Sequence, residues 1–340
     1  MKNIKISSLQ LGIIVFFLCQ ALFFPLASHP LYKNVEQEIW ICSIIGTGIG
    51  FVIIKLFLLL QAKLQDKNIL EYNIYKFGKL LGNIINFITV FMIIITMVSL
   101  FSKFCIFINV NYLPNMPLLI IQITFILVII YAIKKGIESI FRSAQIFSII
   151  SIILLISAFT LNAYNFNINN IFPILEHKVS NILLSSLYYA LISTLPIFLL
   201  SIFPKNIVLK KEQYNKSIIL GYLFSSIVTI IIFITTLLVL GKHLIVSFEY
   251  PEFIAFKQIQ YFYFIERLEI IFSSIWIFNV FVFCIISLYF VYKYLKFTFN
   301  VKNTNFILIL LSIIIILLSN LIIFNNFWYY LFIKYIIFVD

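Results

Sequence analysis

Two apolar runs each carry a proline deep inside, with polar groups close by. Gln20, Ala21, Phe24 and Pro25 lie in the run Leu9–Ser28, and Ser193, Thr194 and Pro196 lie in the run Leu183–Phe203. Proline lacks a backbone N–H, and its ring clashes with the carbonyl four residues back, so it kinks or opens a helix. In hydrocarbon, backbone groups freed in this way survive only where protein or a watery cavity receives them. Two such openings facing each other offer unpaired main-chain groups to a small solute, and exposed amides favour its carboxylate. A packed kink is the plain alternative at either proline alone.

Side chains on other apolar runs suit the same chemistry. Asn279, Phe283 and Ser287 recur every four residues and so share one helix face, as do Met92, Thr96 and Ser99. Hydroxyls, an amide and an apolar wall fit a small amino acid. The same residue types also hold helices together across a membrane bundle, and both readings stand.

Covalent chemistry finds no support. His29, His177 and His243 are far apart, and no metalloprotease, serine-elbow or phosphate-loop motif occurs. Cys19, Cys42, Cys105 and Cys284 fall in or at the ends of apolar runs with no metal-ligand spacing, so buried, inert thiols are expected. The expectation is a protein that is not an enzyme and carries no cofactor or metal. All 12 carboxylates lie outside the apolar runs or at their edges, with Glu38 and Glu269 at run starts. An intramembrane acid commonly carries the coupling charge of a transporter, so this placement speaks against active transport. Lys55 is the one charge well inside a run; it either snorkels to the interface or lines a polar cavity.

The elements that position these residues are set by composition. Of 340 residues, 63% are hydrophobic and 11% charged, whereas a soluble domain is about 25% charged. Apolar stretches of about 20 residues, each able to cross a bilayer, follow one another throughout. Ten spans are expected, near 8–30, 38–61, 80–108, 117–134, 142–163, 182–203, 216–240, 268–293, 305–324 and 325–338. The first run is too long for a signal-peptide core and lacks a small-x-small cleavage site, so it reads as a span. The lysines behind the net charge of +12 sit in short loops between spans, which excludes a nucleic-acid patch. Seventeen basic residues fall on one side and six on the other, which predicts both termini in the cytoplasm.

Ten spans divide into five and five. The prediction is a single all-α integral membrane domain over residues 1–340, with first repeat 8–163 and second repeat 182–338 in opposite orientation. Pro25 and Pro196 then fall in corresponding spans, 1 and 6, where transporters with inverted repeats break their helices around the binding site.

Short motifs sharpen this. Tyr250-Pro251-Glu252, then Phe264-Ile265-Glu266-Arg267-Leu268-Glu269, then Trp276, resemble the B subunits of GerA-type spore germination receptors. Lys5–Gln10, Gly136–Arg142 and Phe172-Pro173-Ile174-Leu175 resemble the same family, in the same order along the chain. The resemblance implies a fold like that of amino acid–polyamine–organocation (APC) transporters, with LeuT-type broken helices 1 and 6. It implies a nutrient sensor in the inner membrane of dormant spores, acting with an A subunit and a lipoprotein C subunit. By position it places a small nutrient, such as an amino acid, among Gln20, Ala21, Phe24, Pro25, Thr96, Ser193, Thr194, Pro196, Phe283 and Ser287, and the shared helix face adds Asn279. Glu266, Arg267, Trp276 and Arg142 become structural or gating residues, Arg142 either capping span 5 or obeying the charge rule. Relatives often carry glycines at the first break, where this chain has Leu18, Cys19 and Gln20. A stand-alone secondary amino acid transporter is the alternative, and a passive channel a third reading.

Overall fold

The structure, a computed structural model, describes residues 5–64, 67–257, 269–300 and 303–324. Among these residues there are eleven α-helices: α1 (Ser8–Ala21), α2 (Ser28–Val35), α3 (Ile39–Leu64), α4 (Ile69–Asn111), α5 (Leu118–Lys135), α6 (Ile137–Asn162), α7 (Val179–Thr194), α8 (Tyr214–Ser247), α9 (Pro251–Lys257), α10 (Glu269–Phe299) and α11 (Thr304–Phe324). The protein is an all-α integral membrane protein. Eight continuous helical stretches among the described residues are long and apolar enough to cross a bilayer. One of them, Ser8–Leu64, is 57 residues long, far beyond the length of one crossing. It reverses at Glu36, whose φ of 39° ends α2, and so supplies two spans. Nine of the ten expected spans therefore stand among the described residues. The tenth, 325–338, lies outside them.

Local sequence explains the ends and the bends. Ser7 caps α1 by accepting from the Gln10 amide, and the Gln10 side chain accepts from the Ser7 amide in return. The chain before α1 is pinned by Ile6, whose amide and carbonyl bond to Ile207 and Leu209. Span 1 does not unwind at Pro25. The Phe23–Ala27 segment forms one π turn, in which the Ser28 amide reaches back to the Phe23 carbonyl. One extra residue per turn accommodates the proline ring and its missing donor without extended chain. Span 6 takes the opposite course. The hydroxyls of Ser193 and Thr194 both donate to the Ala190 carbonyl, at 3.0 and 2.7 Å, and the chain then tightens into a 3-10 helix over Leu195–Ile202. Such back-bonding bends helices, and Pro196 at the start of the tighter turn fixes the change. The two expected breaks are thus changes of helical pitch, not unwound loops.

The principal pairings of the bundle are α1 along α8 and α3 along α7. Small residues allow the close approach, as expected where no hydrophobic force drives helices together in lipid. At Gly221 a Cβ atom would lie 2.4 Å from the Gly12 carbonyl oxygen, and at Gly46 it would lie 2.6 Å from that of Ser186. Lys55 is exposed and its ammonium sits 4.7 Å from the Phe51 ring centre, so its side chain leaves the bundle instead of lining a cavity.

A helical arm before span 3 was not expected. Gly78, with φ 79°, splits α4, and residues 69–77 form a separate arm packed back against span 3. Asn86 holds this arm: its amide accepts from Asn73 at 2.8 Å and donates to the Leu70 carbonyl at 3.1 Å. Asn86→Ala leaves both groups without their partner, at a cost of about 1–3 kcal/mol. Amide exchange in the arm should then rise about ten- to a hundredfold while that of span 3 stays put. Unchanged exchange would mean that the pair does not anchor the arm.

Candidate functional site

The two changes of pitch lie on either side of a hollow. A cavity of about 400 Å³ is bounded by Leu22 and Leu26 of span 1, Thr89, Met92 and Thr96 of α4, Pro196 and Leu199 of the 3-10 segment, and Phe283 of α10. Four residues singled out by sequence, Met92, Thr96, Pro196 and Phe283, therefore meet there. The wall is mostly apolar. Thr89 and Thr96 already donate their hydroxyl protons to the Ile85 and Met92 carbonyls, which leaves them as acceptors. On one side the hollow reaches the outer surface of the bundle, where Ile88, Met92 and Leu195 are exposed.

Polar groups gather deeper, between spans 1, 7 and 8. The Gln20 side chain donates to the Ser225 carbonyl at 3.3 Å and accepts from Asn279 at 3.4 Å. All three residues are buried. Among the described residues, Asn279 Oδ1 and the hydroxyls of Ser225 and Ser287 have no hydrogen-bond partner. Unpaired polar atoms in an apolar surrounding are costly, so this cluster is poised to take hydrogen bonds from something else. Asn279 and Ser287 stand one turn either side of Phe283 on α10, about 6 Å each way, which sets the polar cluster beside the hollow.

Other predicted residues take different roles. Ala21 and Pro25 are buried, and Phe24 meets the Phe272 ring edge-on at 5.0 Å between centroids. The hydroxyls of Ser193 and Thr194 are committed to Ala190, so these residues shape the bend. Trp276 is buried against Phe104, Phe107 and Tyr250. Arg142 lies in the second turn of α6, exposed and 3.7 Å from Glu138, so it does not cap that helix. Glu266 and Arg267 lie outside the described residues. A larger recess of about 580 Å³ between α1, α6 and α8 is lined by Leu9, Ile149 and Leu220. These side chains are exposed on the outside of the bundle, where lipid chains pack.

Residues 5–327 match the family model described as spore germination protein. The chain belongs to that family. Two relatives from Bacillus subtilis (strain 168) agree. YfkT is 26% identical over 248 residues, covering 73% of this chain and 67% of YfkT. Spore germination protein A2 is 28% identical over 272 residues, covering 78% of this chain and 72% of A2.

In this spore germination protein the sequence reading missed two contributors to the polar centre and one acid. Ser225 and Ser226, with Thr229 one turn on, form a hydroxyl stripe in span 7, which was readable from spacing alone. Glu252 sits in a loop helix yet is only 1% exposed. Its signal was the apolar run Phe253–Phe256 that follows it, too rich in phenylalanine for a solvated loop.

Proposed function

We propose that this spore germination protein is the nutrient-sensing B subunit of a germinant receptor. In this reading a small nutrient, such as an amino acid, occupies the hollow between the π turn of span 1 and the 3-10 turn of span 6. The observation that carries the reading is the meeting of both pitch changes, Thr96 and Phe283 at one cavity beside the open Asn279 Oδ1 and Ser287 hydroxyl. An apolar side chain suits the wall. Asn279 Oδ1 accepts from an ammonium group, and the serine hydroxyls donate to a carboxylate. The nutrient shifts the protein between two states by its differential affinity for them, and the shift passes to A and C subunits. The site is made from both halves, as in APC-like inverted repeats. The two principal pairings support that architecture: spans 1 with 7 and 2 with 6 exchange when spans 1 and 2 swap roles with 6 and 7.

Deletion of the gene should abolish germination on one or a few single nutrients from a panel, without loss of amino acid uptake by growing cells. Uptake by proteoliposomes of the purified protein alone would instead favour a transporter. Thr96→Leu and Ser287→Leu should each raise the nutrient concentration for half-maximal response about tenfold, corresponding to about 1.4 kcal/mol, with the protein still accumulating. Unchanged dose-response curves in both variants would remove the pocket from the scheme.

A further inference from the structure

Glu252 is the carboxyl group that the nutrient reading leaves unused. It lies on α9, between spans 7 and 8, and points into the protein. Its Oε2 lies 3.2 Å from Ser28 Oγ, and among the described residues its Oε1 has no partner at hydrogen-bond geometry, with the Tyr32 hydroxyl close enough to act on the carboxyl. Among the described residues no lysine, arginine or histidine pairs with it. Tyr32 on α2 is the titratable group that bears on it. The nearby Glu249 is paired with Lys103 of α4, and Glu269 at the start of α10 acts on Tyr112.

The hydrogen bonds around Ser28 suit a protonated Glu252. Ser28 Oγ lies 3.3 Å from the Phe24 carbonyl oxygen as well as 3.2 Å from Glu252 Oε2. A hydroxyl has one proton to give, and a carboxylate and a carbonyl are both acceptors only. The two contacts are satisfied together when Glu252 is the acid: its O–H donates to Ser28 Oγ, and Ser28 donates to Phe24 O. The chain of hydrogen bonds then runs from α9 into the π turn of span 1. Ring packing follows the same path. Phe256 of α9 stacks on Phe272 at 4.9 Å, and Phe272 meets Phe24 at 5.0 Å.

We propose that Glu252 is a proton-binding site that latches α9 onto the π turn of span 1: the bound proton keeps α9 seated, and its release unseats the helix. Desolvation supports the geometry, since burial without a cation pushes the carboxyl up to about 8 from its ordinary 4.5. The sign follows from linkage. The seated state binds one proton more than the unseated state between those two values. Seating is therefore constant below about 4.5, weakens by about tenfold for each pH unit above it, and levels off above about 8.

This inference does not rest on the nutrient reading, and its test needs no nutrient. The full-length protein in nanodiscs is followed by hydrogen–deuterium exchange from pH 6 to pH 8, corrected for intrinsic rates. In the wild type, protection of residues 252–257 should fall about tenfold per unit. In Glu252→Gln, which is neutral throughout and retains a donor for Ser28, it should stay flat. Infrared titration of the wild type gives an independent reading should that variant fold poorly. A protonated carboxyl band should persist to near pH 8 and shift in Ser28→Ala. Identical exchange profiles for wild type and Glu252→Gln would overturn the proposal. So would ionisation of Glu252 at the ordinary carboxyl range.

Discussion

Gly221→Val should prevent the protein from assembling its bundle. A Cβ at this position would lie 2.4 Å from the Gly12 carbonyl oxygen and 2.9 Å from Val15 Cβ. The first obstacle is backbone, which cannot rotate away as a side chain can. Spans 1 and 7 would have to separate along the contact that also carries the Gln20–Ser225 bond. Overpacking in a close-packed interior costs about 1–3 kcal/mol for small insertions, and a branched side chain against a main-chain carbonyl falls at or above the top of that range. Little protein should reach the membrane, and what does should lose its monodisperse chromatographic peak on mild heating. Gly48→Ala is the matched control. Nothing lies within 4 Å of a Cβ there, and alanine is favoured over glycine in a helix by up to about 1 kcal/mol. It should melt at or slightly above the wild-type temperature. Equal melting of Gly221→Val and wild type would show that the observed approach of spans 1 and 7 is wrong.

Gln20→Leu should cost the nutrient response far more than it costs stability. Gln20 joins span 1 to span 7 through the Ser225 carbonyl and to span 8 through Asn279. Leucine fills similar space but removes one donor and one acceptor. Ser225 O keeps a partner, since Thr229 also donates to it at 3.0 Å. The penalty therefore falls mainly on Asn279, whose amide loses its acceptor, at about 1–3 kcal/mol. Reorientation of Asn279 would in turn displace the unpaired Oδ1 offered to a ligand. The half-maximal nutrient concentration should rise about ten- to a hundredfold, with accumulation reduced less than twofold. Asn279→Leu should act similarly, and the double variant should fall short of the summed effects by about 0.5–3 kcal/mol, because the residues act as one unit. Strict additivity, or a response unaffected by either change, would separate this pair from ligand recognition.

Much of this arrangement was readable because the bilayer imposes it. The apolar runs gave nine spans close to those observed, since an apolar run of about 20 residues in hydrocarbon satisfies its own backbone groups as a helix. Pro25 and Pro196 marked the two bends because proline acts locally. The form of the bends was not legible. A π turn at Phe23–Ala27 and a 3-10 turn at Leu195–Ile202 depend on which neighbours receive the displaced carbonyls. Ser28 and Ala190 show how different those local solutions are. The Gly78 arm and α9 were missed for a related reason. Each is about two turns long, and a helix so short takes its stability from distant partners, Asn86 in one case and Phe107 with Phe272 in the other. Glu252 shows the same limit in chemistry: its place in a loop said acid in water, and the fold made it an acid among rings.

The most direct test of a nutrient held between spans 1 and 6 is equilibrium binding. A radiolabelled nutrient that triggers germination in the wild-type strain, and fails to in the deletion strain, is titrated against the purified protein in nanodiscs. One saturable site per chain is expected, weakened about tenfold by Thr96→Leu and by Ser287→Leu and retained in Gly48→Ala. No saturable binding at concentrations that trigger germination, or equal affinity in wild type and both pocket variants, would contradict a ligand site at the junction of the two bent spans.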